Sequence, residues 1–400
     1  MSQKFKLMEI HEGNAIAEIP QLKRLGEKSG YEVWKSPVFY NPVMKLNRDL
    51  SVLAIQIFQR MHQAKIKICE PLAGSGIRGI RWAKEVKGID SIVLNDANPH
   101  AYELTRRNVR ANHLNRKIRF YNRNANLLLQ EYASQADRFD VIDLDPFGSP
   151  MSFIHSTVAA AKRLSLLAIT ATDTAPLCGV KKEACIRKYA ARPLRTSYTH
   201  EIAARILIGA VARVACIYEF GVTPLLTHST DHYIRTYLEM RLSVKQANLS
   251  LKDLGYLYHC PNCQTRALTT EWKVPEANCP ACAAKVEVAG PLWTGPLQSE
   301  LFCRKVEEEG KSRYPTGNKR LLNLLSTLVA EANSPPLYYD LDELCDKLGT
   351  PNPAFKELFE LLRLNGYQAS RTHFKPKALK TDAPPKEIEA MIRKLTSTSD

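Results

Sequence analysis

The residues best equipped for chemistry stand together at Asp145-Pro146-Phe147-Gly148-Ser149-Pro150. A carboxylate accepts hydrogen bonds, proline fixes the backbone beside it, and phenylalanine offers a flat apolar face. An acid and an aromatic ring on one stiff turn suit a planar base. The carboxylate accepts from an amino group while the ring stacks on the face, so the expected chemistry is methyl transfer to an exocyclic amine. The turn follows Phe139-Asp140-Val141-Ile142-Asp143-Leu144, a short apolar, β-branched run that reads as a buried strand of a parallel sheet. In open α/β sheets ligands bind at the carboxyl ends of the strands, which is where this turn would lie.

The elements that must position the turn are legible upstream. Ile66 to Ala73 reads as a first strand, followed by Gly74-Ser75-Gly76-Ile77-Arg78-Gly79 and a helix through 80–86. Glycines there let backbone approach a ligand at a helix N-terminus. A second strand over 91–94 ends in Asn95-Asp96, with a helix over 99–112 behind it. Strand, glycine loop, helix, strand and acid make a nucleotide-binding half in which Asp96 takes ribose hydroxyls. The same spacing fits an NAD-dependent oxidoreductase, because both cofactors carry an adenosine. What favours a methyl donor lies elsewhere, in the Asp-Pro-Phe turn, the basic excess and the cysteine pairs. A third strand over 118–121 leads to Asn122-Arg123-Asn124-Ala125, placed to bracket an adenine. A helix over 151–163, a strand over 166–171 ending at Thr172-Asp173-Thr174, and strands over 224–227 and 233–240 complete a doubly wound sheet. Asp173 either helps hold the base or caps a helix. Arg48 precedes an apolar helix over 50–58 that Asn47 or Asp49 would cap. A cation in a first turn opposes the helix dipole, which favours an anionic partner. Residues 1–40 show no clear period.

The chain of 400 residues carries a formal net charge of +15, which favours a polyanionic partner such as nucleic acid. Lys181, Lys182, Arg187, Lys188, Arg192 and Arg195 crowd one segment with Tyr189 among them. Placed after the fifth strand they would rim the crevice, where phosphate contacts position a substrate. The start of the chain lacks the apolar core of a signal peptide, and no run of 18 apolar residues exists, so the expectation is a cytoplasmic protein with no membrane contact. Ten cysteines in such a compartment are thiols or metal ligands rather than disulfides. Cys260-x2-Cys263 and Cys279-x2-Cys282, fifteen residues apart, have the spacing of a four-cysteine zinc ribbon with no position left for catalytic water.

Two domains are expected: a methyl-donor-binding domain over 1–245, and a smaller α+β domain over 246–400. The second holds the zinc ribbon (258–285) and a helical, winged-helix-like unit (317–374), and its tail from Lys375 reads as mobile.

Taken together, these residues resemble the family of tRNA guanine-26 N2-dimethyltransferases. The likeness is carried by Phe39-Tyr40-Asn41-Pro42 with Asn47-Arg48-Asp49, Gly76 to Arg81, Asn95-Asp96, Asp143 to Pro150, Thr170 to Gly179, Gly290-Pro291-Leu292-Trp293 and Arg371-Thr372-His373-Phe374. It implies a class I, Rossmann-like fold binding S-adenosylmethionine. Arg48 and Arg78 would lie beside the donor's methionine end, Asp96 at its ribose, and Asn124 and Ala125 at its adenine. Where the family pattern has an acid, this chain has Asn124, whose amide oxygen accepts less strongly. Asp145 would take a hydrogen from guanine N2, Phe147 would stack on the base, and tRNA would be the partner, with no obligate protein partner evident. Another nucleic-acid amino-methylation, on DNA or rRNA, fits the same turn, as does an RNA-binding protein without catalysis.

Overall fold

Residues 5–21, 36–271, 278–315 and 317–397 are described by the computed structural model. The β-branched runs become strands β1 (Ile66–Glu70), β2 (Ile89–Asn95), β3 (Ile118–Tyr121), β4 (Phe139–Leu144), β5 (Ala161–Ala171), β6 (Phe220–Thr230) and β7 (Tyr233–Leu242). They form one sheet in the order β3-β2-β1-β4-β5-β7-β6. The first five are parallel, and β7 runs antiparallel to both β5 and β6. The order reverses between β1 and β4, so their carboxyl ends open a crevice at the switch point. The fold class is therefore the Rossmann-like α/β sheet expected.

Both faces of the sheet are covered. Cys69, Val93, Ile142, Leu144, Leu167 and Ile169 face helices Ala125–Ser134 and Thr199–Ile217. Their neighbours Ile68, Ile92, Val141, Leu166 and Ala168 face helices Lys45–His62 and Ile77–Glu85. Successive strand residues point to opposite faces, which is why these strands read as unbroken apolar runs. Packing is continuous across residue 246. Leu254, Leu257, Leu292 and Trp293 join the first core layer, and Phe302, Val306, Leu321 and Leu325 join the second. A separate core belongs to helices Leu341–Leu348, Phe355–Leu364 and Pro385–Thr396 with the small sheet of Tyr339–Asp340, Ala378–Lys380 and Ser370–Arg371.

Four expectations are corrected. The helix expected over 151–163 is only Ile154–Ala159, after a 3-10 turn Pro150–Phe153. Residues from Ala161 instead pair with Phe139, and Leu164 with Arg241, because β4 and β7 flank them with open ladders. The helix expected at 50 begins at Lys45, with Met44 rather than Asn47 or Asp49 at its N-cap. The unperiodic start contains a hairpin, Leu7–Glu12 with Ala15–Pro20, turning at Gly13-Asn14. Its buried positions include Ala15 and Ala17, too small to stand out as an apolar stripe. Among the described residues the tail is also structured, since Ile388, Met391 and Ile392 of Pro385–Thr396 are buried in the third core. Ile388→Ala should therefore cost about 2–5 kcal/mol, read as a lower urea midpoint of the C-terminal unit; an unchanged midpoint would mean that the helix does not dock.

Candidate active site

β4 ends at Leu144 and delivers Asp145 into the crevice opposite the glycine loop after β1. The turn is clamped. Gly148 adopts φ +78°, a left-handed conformation that a side chain disfavours. Its amide donates to Thr172 Oγ1 at 2.6 Å, and its carbonyl accepts from the Thr172 amide at 3.0 Å. So held, Phe147 stays 72% exposed and meets Phe39 edge to face, with ring centroids 4.7 Å apart.

Behind the turn lies a buried array of charge. The Arg78 guanidinium donates to Asp145 and, at 2.6 Å, to Asn47 Oδ1. It stands 3.4 Å from Glu70 and 3.7 Å from Asp143. Asp143, fully buried, is forked by Arg235, which also donates to Thr170 Oγ1 at 2.8 Å. Burial pushes the Glu70 carboxyl well above the usual range; Arg78 opposes this, but Asp143 and Asp145 add to it. Its Oε2 takes the Gly79 amide at 3.1 Å.

A second array fixes Arg48. Its Nε and Nη2 donate to the two oxygens of Glu12 at 2.6 and 2.7 Å, and it reaches the Asn41 carbonyl at 3.2 Å. Glu12, on the N-terminal hairpin, also accepts from Tyr40 at 3.1 Å and from Arg81 at 2.9 Å. Burial alone would raise the Glu12 carboxyl, but Arg48 and Arg81 outweigh it and hold it at about 2.

Two adjoining cavities open at the crevice. The narrower, 50 Å³, is lined by Arg48, Glu70, Gly74, Ser75, Arg78 and Asp145 among others. The wider, 340 Å³, is walled by Phe39, Met44, Asp96, Asp145, Phe147 and Thr172 among others. Asp145 therefore lies where the two meet. Asp96 accepts from the Gly74 and Asn98 amides at 2.9 Å each; burial still raises its carboxyl. Gly74 has φ +55°, and a side chain there would press on the Phe39 carbonyl.

Of the residues expected at the site, Arg48, Arg78, Asp96, Asp145 and Phe147 come together on these walls. Asn124 and Ala125 stand outside both linings. Asn124 caps helix Ala125–Ser134, its oxygen accepting from the Asn126 and Leu127 amides. Asp173 makes no cap bond; it accepts from Tyr189 at 2.6 Å and Lys188 at 3.1 Å. Sequence reasoning quoted Phe39 without assigning it to the wall, and missed Glu12 entirely. No motif marks that acid, whose partners lie 28 to 69 residues away.

With this geometry in view, comparison with known proteins is decisive. A sequence profile of the N2,N2-dimethylguanosine tRNA methyltransferases matches residues 18–393. The chain belongs to this family. It is 38% identical over 400 residues to the tRNA (guanine(26)-N(2))-dimethyltransferase of Methanobrevibacter smithii, covering 99% of this chain and 100% of that protein. It is 41% identical over 369 residues to its namesake from Methanosarcina mazei, covering 90% and 92%. The structure of Trm1 from Pyrococcus horikoshii with S-adenosyl-L-methionine superposes with a TM-score of 0.83 at 34% identity, covering 96% of this chain and 100% of that one.

A third cluster lies outside the crevice. The sulfurs of Cys260, Cys263, Cys279 and Cys282 all fall within 4.8 Å of one another, with Cys260 to Cys282 and Cys263 to Cys279 at 3.5 Å. A tetrahedron of thiolates about 2.3 Å from a metal has edges of roughly 3.8 Å, so the four suit one ion. Two matching turns present them: the Gln264 amide returns to the Cys260 carbonyl at 2.9 Å, and the Ala283 amide to the Cys279 carbonyl at 2.8 Å.

The Glu12 array yields a pH prediction. The carboxyl is near 2 when folded against about 4.3 in an unfolded chain. Its contribution to stability is complete above the unfolded value and is lost as pH falls from there through the folded one. Urea midpoints measured from pH 7 to pH 3 should show Glu12→Gln less stable at pH 7 by about 3 kcal/mol, with the gap closing below pH 4.5. Parallel curves would remove Glu12 from the acid limb.

Proposed function

We infer that this chain methylates the exocyclic N2 of guanine 26 in tRNA, and we propose Asp145 as the group that receives the amine hydrogen. The observation that carries this reading is the position of Asp145 on both cavities, facing the charged cleft on one side and the Phe39–Phe147 wall on the other. Bound S-adenosylmethionine supplies an electrophilic methyl on a sulfonium centre. The residues present fit such a donor: Arg48 and Arg78 suit a carboxylate, Asp96 suits ribose hydroxyls, and Gly74 leaves the backbone open to close approach. Ala125 and Asn124 remain adenine contacts by family pattern; since the Asn124 oxygen already takes two cap amides, its side-chain NH2 is the group that would donate to an adenine ring nitrogen.

The amine of guanine is a weak nucleophile because its lone pair is spread into the ring. Asp145 would accept one N2 hydrogen, localising electron density on nitrogen and taking the proton as the methyl moves. Arg78 donates to Asp145 Oδ2, which leaves Oδ1 to face the substrate. Phe147 and Phe39 would grip a base drawn out of its helix, offsetting an unstacking cost of a few kcal/mol. Alignment of amine and methyl would supply most of the acceleration. Dimethylation requires the monomethyl amine to turn and present its second hydrogen to the same oxygen.

Asp145→Asn keeps the shape and one accepting oxygen but removes the charge. It should lower the single-turnover rate on a tRNA transcript by about 10²-fold or more, with S-adenosylhomocysteine affinity within a few-fold of wild type. Near-normal turnover would refute the role. Mapping N2-methylguanines in the treated tRNA tests the position.

We further propose that the four cysteines hold a structural zinc. All four positions would be thiolate, so the ion would cross-link Tyr258–Cys263 to Cys279–Val286 without touching substrate. Purified protein should contain about one zinc per chain, and Cys279→Ser should lower both that ratio and the thermal midpoint. A metal-free wild type with the same midpoint would overturn the assignment.

A further inference from the structure

The basic segment between Val180 and Arg195 is not a loose charged loop. It contains helix Lys182–Tyr189 and is pinned from three sides. Tyr189, buried, donates to Asp173 at 2.6 Å beside the crevice-lining Thr172, and its hydroxyl also lies against Ser149 of the catalytic turn. Its carbonyl takes Arg213 of helix Thr199–Ile217. Arg192 forms a two-way backbone bridge with Gly290 at 2.8 and 2.9 Å. A rigid strap therefore runs from the mouth of the crevice towards the strand Glu287–Trp293.

Its charges are concentrated on one short segment, and most of them lack a carboxylate partner. Lys188 is paired to Asp173. Lys181, Lys182, Arg187, Arg192 and Arg195 are all exposed, and among the described residues none of the five has a carboxylate partner within 4.0 Å, although Glu183 sits among them. Some exposed cations elsewhere do pair, as Arg60 does with Glu309, Arg304 with Glu300 and Arg320 with Asp231; what sets the strap apart is five unpaired ones within fifteen residues of a fixed backbone beside the crevice. Five unpaired cations on a fixed backbone repel one another at low salt and gain when anions neutralise them.

We propose that this strap docks the sugar–phosphate backbone of the tRNA strand flanking the target guanine, a role that rests on the tRNA-methyltransferase reading. Phosphate contacts set register without reading sequence. A strap tied through Tyr189 and Asp173 to the edge that carries Thr172 sets that register relative to Asp145 and Phe147. The backbone entering the crevice then meets cations before the base is drawn out, which lowers the concentration needed for capture and leaves the chemistry to the cavity.

The test compares two charge removals. Lys181→Ala/Lys182→Ala/Arg187→Ala takes three cations from the strap. Lys65→Ala/Lys87→Ala/Arg116→Ala takes three exposed cations from just before β1, β2 and β3, at the opposite edge of the sheet. Binding of an unmodified tRNA transcript is followed from 50 to 300 mM salt, with thermal midpoint and S-adenosylhomocysteine affinity as folding controls. The strap variant should bind ~10-fold or more weakly, with a log K against log salt slope shallower by about 2 to 3. The opposite-edge variant should keep the wild-type slope. Equal slopes for wild type and strap variant, or equal losses in both variants, would overturn the docking surface. A wild type that binds with the expected strap dependence yet leaves guanine 26 unmethylated would sink the methyl-transfer reading while supporting the strap.

Discussion

The Arg78 guanidinium, sealed beneath the crevice among Glu70, Asp143, Asp145 and Asn47, is the constraint on which the site depends. A buried charge is tolerated only when paired and fully hydrogen-bonded. Arg235 neutralises Asp143, and burial raises the Glu70 carboxyl, which weakens its claim on Arg78. Arg78 is then matched to Asp145, the one acid of the group that reaches both cavities. That pairing fixes where the carboxylate points, and no loop flexibility could do so as well. It also explains why acids stand at the end of β1 and on either side of the last residue of β4, while the helix after the glycine loop carries an arginine in its first turn. Against the helix dipole that cation would be unfavourable, and Asp143 and Asp145 reverse the sign of the local field.

A second cation, Arg81, distributes this order outward. It is fully buried and binds Glu12, Asp49 and Glu85, with Tyr314 at 3.5 Å. Asp49 in turn accepts from Asn318 at 2.8 Å. The N-terminal hairpin, the helix bearing Arg48 and the segment joining Glu300–Arg313 to Lys319–Glu331 therefore meet on one charge network. Through Glu12 that network holds Arg48 at the narrow cleft. Elements far apart in the chain thus set the narrow cleft.

This arrangement decides what could be read from sequence. The parallel strands were legible because burial on both faces leaves unbroken apolar runs, and the crevice followed from the turns at their ends. Asp145, Phe147, Asp96, Arg48 and Arg78, which line the crevice, could be singled out because each sits in or beside a local motif. Glu12 was not, since an acid in an alternating strand looks like any solvated residue until Arg48 and Arg81 arrive from elsewhere. Asn47 and Asp49 looked like caps because their side chains favour that position. The buried arginines claim them instead, and the helix extends back to Lys45. The C-terminal helix was hidden by composition: Lys and Pro around it suggested a mobile tail, while Ile388, Met391 and Ile392 at helical spacing give it a core to dock on.

The exposed ring of Phe147 shows how the pieces combine into selectivity. An aromatic left 72% in water forgoes burial it could have gained, and the Phe39 edge contact returns only about 0.5–1.5 kcal/mol. A base slipping between the rings exchanges that contact for stacking worth about 1–3 kcal/mol, which roughly offsets the cost of leaving the RNA helix. Stacking accepts any base, so it cannot choose guanine. In the proposed mechanism the choice falls to Asp145, whose acceptor is matched by a hydrogen on purine N2. Adenine has none there and would leave the desolvated carboxylate without its partner. A site built around a fixed acceptor rejects a substrate lacking the donor far more strongly than a shape-based pocket does. On the role proposed for Asp145, the Arg78 pairing that fixes it in place would also make the crevice discriminate.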